Sequence, residues 1–334
     1  MMGVQTLCIG DLRLASGEVL PDVQIAYVAH GTLAPDGANA VLVTHGYTSG
    51  PSMLSPGHHT AEGSWAPLLG PGRPLDTDRF FVVCSNMLGS AFGSTGPAAV
   101  NPATGRPWGP DFPRIELADI VAAQHGLLRA LGVTHLRAVV GPSYGGFQAL
   151  QWALDHPGLV DACGAIVSGL YSPGGLDAAS ARAKYADHPD WHGGWHYGHA
   201  GIRERLFAQR VQTLRHYGLE TLYAQRHPDP AEREQAMARA ARDWADRFDP
   251  NSLVVLADAA SRFDVRTRLG ELRARLLLMQ CTTDAIFPPD EAARAQLEAL
   301  AVPARFVALD SPYGHMAPGV EWRQLEEPLR WLLD

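Results

Sequence analysis

Six short apolar runs recur along the chain: Ala40–Thr44 (AVLVT), Phe80–Cys84 (FFVVC), Leu136–Val140 (LRAVV), Ala162–Val167 (ACGAIV), Leu276–Gln280 (LLLMQ) and Phe306–Leu309 (FVAL). Between them, Glu116–Leu131, Gly146–Asp155, Glu291–Leu300 and Val320–Leu333 carry apolar residues at helical spacing. Strands that are apolar at nearly every position are covered on both faces, as in parallel sheets clothed by helices. The alternation predicts a doubly wound, mostly parallel sheet with right-handed crossovers.

The rhythm breaks once. From Ser172 to Val265 no strong strand pattern occurs, while GIRERLFAQRVQTLRHYG and DPAEREQAMARAARDWADRF are periodic as helices. Residues 1–171 and 266–334 are therefore expected to form the core, and 172–265 a helical insertion. An insertion at the carboxyl edge of such a sheet lies over its ligand-binding crevice, so we read it as a lid. The 334 residues suffice for one large domain carrying such a part.

Charge and hydropathy narrow the range of partners. The formal charge of −8 comes without a basic block, which argues against nucleic acid. No segment approaches the roughly 20 apolar residues that cross a bilayer. The start, MMGVQTLCIGDLRL, lacks the basic and apolar regions of a signal peptide. The expected location is the cytoplasm, with no membrane partner. Cys8, Cys84, Cys163 and Cys281 are far apart and three lie in strand-like runs. They read as reduced core residues, not as a disulfide framework or a zinc site.

The stretch VVGPSYGGFQALQ, residues 139–151, then asks why small residues crowd a strand–helix junction. Glycine costs roughly 0.5–1 kcal/mol in a regular element, so their density signals a steric demand. The G-x-S-x-G pattern fits a nucleophile elbow, in which Ser143 stands exposed on a strained turn. Gly141 and Gly145 would avoid a collision there. A glycine-rich loop that happens to hold a serine is the plain alternative.

An activated serine needs a base, and the base an orienting acid. In α/β-hydrolases these follow in the order Ser, Asp or Glu, His, each at a strand end. Asp284 follows LLLMQ in CTTDAIFPP, and His315 follows FVALD in SPYGHMAPG. Asp290 reads instead as an N-cap for EAARAQ, and Asp310 as part of a turn. The oxyanion would be held by the backbone N–H groups of Tyr144 and of Tyr47 in THGYTSG. The histidines of DHPDWHGGWHYGH (His188, His192, His196, His199) lie in a stretch rich in Gly, Pro and Trp. They are read as an aromatic, polar rim of the pocket, and no metal or cofactor is expected.

The block NMLGSAFGSTGPAAVNPATGRPWGPDFPRIELADIVAAQHGLLRALG, running into GPSYGGFQALQWA, resembles the homoserine O-acetyltransferase family of the α/β-hydrolase fold. So do PDWHGGWHYG and FPP…SPYGH, and the resemblance covers most of residues 40–334. It implies Ser143 as acyl acceptor with Asp284 and His315 as partners, and transfer from acyl-CoA to a small hydroxy amino acid. It also implies that Arg210 and Tyr217, seven residues apart in AQRVQTLRHY, help to hold the substrate. The family usually has GHDAF at the histidine, its Asp meeting the substrate's amino group; here Met316 takes that position. The serine loop has Pro142 and Tyr144 where the family tends to have Gly and Met, and THGYTS replaces CHALTG. Relatives with this pattern include ester hydrolases.

Three functions follow. Hydrolysis of a small-molecule, short-chain acyl ester ranks first, because Met316 would favour an alkyl or uncharged acceptor. Acyl-CoA-dependent O-acyl transfer to homoserine or another small hydroxy acid is the alternative. A binding protein without catalysis ranks last, since all three triad members are present. Self-association, if it occurs, is expected as a homodimer through the lid.

Overall fold

An eight-stranded sheet runs through the computed structural model of the protein, which describes residues 3–56 and 63–334. Its strands are β1 (Gln5–Arg13), β2 (Val19–His30), β3 (Ala40–Val43), β4 (Phe81–Ser85), β5 (Leu136–Pro142), β6 (Ala162–Ile166), β7 (Arg275–Cys281) and β8 (Ala304–Leu309). The spatial order is β1-β2-β4-β3-β5-β6-β7-β8; β2 is antiparallel to both neighbours and all other pairs are parallel. Helices α1 (Leu117–Ala130) and α2 (Tyr144–Asp155) precede the insertion. The insertion holds α3 (Ala178–Ala183), α4 (Gly201–His216), α5 (Leu219–Arg226), α6 (Pro230–Ala245) and α7 (Pro250–Ser261). Helices α8 (Glu291–Glu298) and α9 (Glu326–Leu333) follow.

The two-residue period of a strand sends alternate side chains to opposite faces. Leu42, Val139 and Leu276 join the core beneath α1 and α2, while Val41, Val140 and Leu277 join the core against α9. Both faces are thus covered, which is why β3 to β7 read as unbroken apolar runs. The strand order reverses between β3 and β5, and the crevice beyond their carboxyl ends is where ligands bind in such sheets. The loop Thr44–Thr48 and Ser143 both emerge at that point.

Several expectations need correcting. The antiparallel pair β1–β2 was not foreseen. Strand β1 forms the sheet edge with a register shift at Gly10, and most of its side chains are at least partly exposed, so no apolar run announces it. Cys8 lies on this edge and is exposed, whereas the other three cysteines are buried and all four are free. Strand β8 is the opposite edge and only half-buried. The expected helix Val320–Leu333 is interrupted by a 3₁₀ turn at Trp322–Leu325. Pro328 explains the restart, because a proline without an N–H is tolerated only in a first turn.

The insertion leaves and rejoins the core through a short clasp. Tyr171 pairs with Asp264, Ser172 N–H donates to Phe263 O, and Val265 N–H donates to Leu170 O, each bond 2.9 Å long. Helix α7 packs Leu256, Ala259 and Ala260 into the main core. Helices α4 to α6 enclose two smaller clusters, one around Trp191, Leu206 and Trp244, the other around Leu214, Leu222 and Met237. Among the described residues, no helix is long and apolar enough to cross a membrane.

Candidate active site

The junction of β5 and α2 is a close approach of backbone to backbone. A Cβ on Gly141 would lie 2.1 Å from Thr44 O, and one on Gly145 would lie 2.5 Å from the same atom. Thr44 Oγ1 also donates to Gly145 O at 2.8 Å, drawing β3 against the turn. Ser143 itself has φ +57° and ψ −124°, a conformation that costs roughly 1–3 kcal/mol and persists only where the surroundings enforce it. They do: Ser143 N–H donates to Ile166 O, and Ser168 Oγ donates to Ser143 O, both at 2.8 Å. The crowding of small residues is therefore steric necessity.

Asp284 and His315 sit in the loops after β7 and β8. Thr283 Oγ1 donates to Ser311 O at 2.6 Å and accepts from Gly314 N–H at 3.1 Å, so the loops hold each other. His315 Nδ1 lies 2.7 Å from Asp284 Oδ2, with both side chains at most 1% exposed. Burial alone would raise the Asp284 pKa. The facing imidazole and the N–H groups of Ile286 and Phe287 outweigh it and hold the carboxyl below its ordinary range. Asp290 caps α8 by accepting from Ala292 and Ala293 N–H, and Asp310 meets Thr282 Oγ1 at 3.4 Å and accepts from Gln324 Nε2 through its backbone oxygen.

Ser143 opens into a cavity of about 740 Å³ between sheet edge and lid. Tyr217 and Phe287 line it as well, and their rings lie 4.7 and 6.0 Å from the His315 ring. His315 thus lies behind two residues that line the same cavity as Ser143. Tyr47 and Tyr144 line it too. Tyr144 is the first residue of α2, so the helix offers its N–H no partner. The loop bearing Tyr47 is braced by His45, whose Nε2 accepts from Met87 N–H at 3.1 Å and whose carbonyl accepts from Gln148 Nε2 at 3.0 Å. Unforeseen in the sequence, both phenols fasten α7: Tyr47 Oη donates to Leu253 O at 2.5 Å and Tyr144 Oη to Leu256 O at 3.1 Å. Burial pushes both phenol pKa values upward.

Arg210 enters the cavity from α4 although it is only 2% exposed. Its Nη1 donates to Thr48 Oγ1 at 2.8 Å, and its guanidinium lies 4.7 Å from the Trp244 ring centroid. Trp244 Nε1 in turn donates to Thr48 O at 3.0 Å, so lid and core meet at this residue. Thr48 and Trp244 were missed because nothing local marks them; only the fold brings them to Arg210.

Two expectations fail here. Met316 packs with Leu214, Leu219, Leu222, Tyr223 and Met237, not among the residues lining the cavity. The turn that presents His315 faces the next side chain into the lid, and Met316 N–H donates to Tyr217 O at 3.1 Å. None of His188, His192, His196 and His199 lines the cavity either. The loop docks instead on the start of α7, with His196 Nε2 3.0 Å from buried Asp249 Oδ1.

Residues 39–321 match the alpha/beta hydrolase fold family. The homoserine O-acetyltransferase of Moorella thermoacetica is 37% identical over 94% of this chain and 91% of its own. Among solved structures, esterase E22 superposes with a TM-score of 0.87 at 23% identity, covering 100% of both chains. Homoserine O-acetyltransferase from Bacillus anthracis gives a TM-score of 0.86 at 24% identity, over 99% of this chain and 97% of that one. At such identities these two likenesses speak for the fold alone.

Proposed function

Because the chain belongs to the homoserine O-acetyltransferase family of the α/β-hydrolase fold, we propose that it transfers a short acyl group from acyl-CoA to the hydroxyl of a small hydroxy acid. Ser143 Oγ attacks the thioester carbonyl while His315 Nε2 takes its proton. Asp284 accepts from Nδ1–H and keeps the imidazole in the required tautomer. The N–H groups of Tyr144 and Tyr47 stabilise the oxyanion. As the tetrahedral intermediate collapses, the C–S bond breaks and the leaving thiolate takes the proton from His315. The acceptor hydroxyl then gives its proton to His315 as it attacks the acyl-enzyme, and the bond from the acyl carbon to Ser143 Oγ breaks as His315 returns that proton to Oγ.

The observation that carries this reading is Arg210, a buried guanidinium inside the cavity that Ser143 lines. A carboxylate pairs with a guanidinium through two parallel hydrogen bonds, which would orient a hydroxy acid as well as bind it. A second reading, hydrolysis of small acyl esters, is supported by Met316. The resemblance expects a carboxylate there to meet a substrate ammonium, and Met316 is instead buried in an apolar cluster. An ammonium entering a dry pocket needs a replacement for its lost hydration.

The two readings separate at the acyl-enzyme. Enzyme acylated on Ser143 is placed in water with and without millimolar homoserine, and acyl-homoserine is followed by mass spectrometry. Transfer to homoserine exceeding loss to water is the expected result. Decay to free acid that homoserine neither speeds nor diverts would replace this reading with hydrolysis.

A further inference from the structure

The lid loop preceding α4 is built in two layers. Its inner layer is locked by buried contacts. The His196 ring stacks on Trp191 with centroids 5.7 Å apart and planes within 5°. Tyr197 Oη donates to Asp249 Oδ2 at 2.9 Å, and Asn251 Nδ2 donates to Gly194 O at 2.8 Å. Its outer layer presents polar groups to solvent. His192 has φ +45° and ψ 42°, a left-handed conformation that a side chain seldom adopts, and this fold-back sets its ring 4.4 Å from that of His199. Asp190 lies beside them: its Oδ2 accepts from Gly201 N–H at 2.9 Å, and its Oδ1 is 3.9 Å from His199 Nδ1. One ligand atom from each of the three residues lies within 4.8 Å of the others.

We propose that Asp190, His192 and His199 form a site for a divalent transition metal of the zinc type. Two imidazoles and one carboxylate suit Zn²⁺, Co²⁺ or Ni²⁺ and poorly match the all-oxygen preference of Mg²⁺ and Ca²⁺. Metal–ligand bonds of about 2.0–2.2 Å bring tetrahedral ligand atoms closer than they stand here. The exposed imidazoles of His192 and His199 can rotate inward to close that gap. The Gly201 N–H on Asp190 Oδ2 acts as the outer hydrogen bond that orients a ligating carboxylate. With three protein ligands on an exposed face, water completes the coordination. The ion would staple the two ends of the loop that runs into α4, the helix that carries Arg210, and so brace the lid from outside the cavity.

The test is Zn²⁺ and Co²⁺ titration of the full chain, free of any affinity tag, by calorimetry and visible absorption. The wild type is compared with His192→Ala/His199→Ala and with His199→Ala alone, a single exposed change that leaves the buried Asp249 contacts in place. We expect one equivalent of Zn²⁺ bound by the wild type and not displaced by millimolar Mg²⁺. Either variant should weaken binding by at least about tenfold, and Zn²⁺ should raise the melting temperature of the wild type only. Absence of Zn²⁺ binding, or binding of equal stoichiometry and affinity in all three proteins, overturns the proposal.

Discussion

Two walls of one cavity are built by different means. On the sheet side, Ser143 is held by main chain against main chain, with Thr44, Gly141 and Gly145 so close that one methyl group would not fit. On the lid side, Arg210 is held by side chain on side chain, through Thr48 and Trp244. Close-packed backbone has one arrangement, whereas side-chain contacts can be re-formed with other residues. Under the proposed function, the contrast would let the acyl-enzyme chemistry stay fixed while the acceptor changes.

The largest effect should come from Ser143→Ala. It removes the proposed nucleophile and leaves the packing, so acyl-CoA turnover and fluorophosphonate labelling should fall by about 10⁴-fold or more with melting temperature unchanged. Labelling that survives would put the nucleophile elsewhere. Next is a pair of glycine substitutions. Gly145→Ala, with its Cβ 2.5 Å from Thr44 O, should lower stability by about 3 kcal/mol. Gly174→Ala on the lid side, with nothing within 4 Å, should stay within about 0.5 kcal/mol in denaturant unfolding. Equal losses would erase the distinction between the walls.

Arg210→Ala should raise KM for a hydroxy acid by about 10–100-fold and change turnover of a neutral ester little. A matching loss on both substrates would make the arginine a fastener of lid to core. The smallest effect concerns acid. Asp284 is held below its ordinary pKa, so its contribution to stability is present above about pH 4 and is lost as pH falls through the depressed value. The difference in melting temperature between wild type and Asp284→Asn should therefore shrink as pH is lowered from 6 towards 3. A constant gap would show that this carboxylate's charge does not contribute.

The same contrast governs what could be read from the chain. Strands β3 to β7, the elbow and the positions of Asp284 and His315 are written in local runs, because strands buried on both faces and strand-end loops are properties of contiguous residues. Edge strands β1 and β8 have one free side and therefore mixed polarity, which hid the first entirely. The direction of Met316 and the Thr48–Arg210–Trp244 contact depend on how distant segments meet. Periodicity carries no information about that. The positions that resemblance assigned to Arg210 and Tyr217 fall at the cavity, while Met316, where this chain departs from the family, packs in an apolar cluster.

The paired strands of chain at Leu170–Ser172 and Phe263–Val265 make the insertion a closed loop whose ends are fixed to each other. The entropy of closing such a loop grows only with the logarithm of its length, about 0.6 kcal/mol for each doubling. Beyond that clasp the number of residues is nearly invisible to the stability of the sheet. Selection can therefore lengthen, shorten or replace the stretch between the clasp and α7, whose Leu256, Ala259 and Ala260 belong to the main core, and leave the folding of the sheet untouched, which makes α3 to α6 the segment through which a lineage would acquire new acceptors.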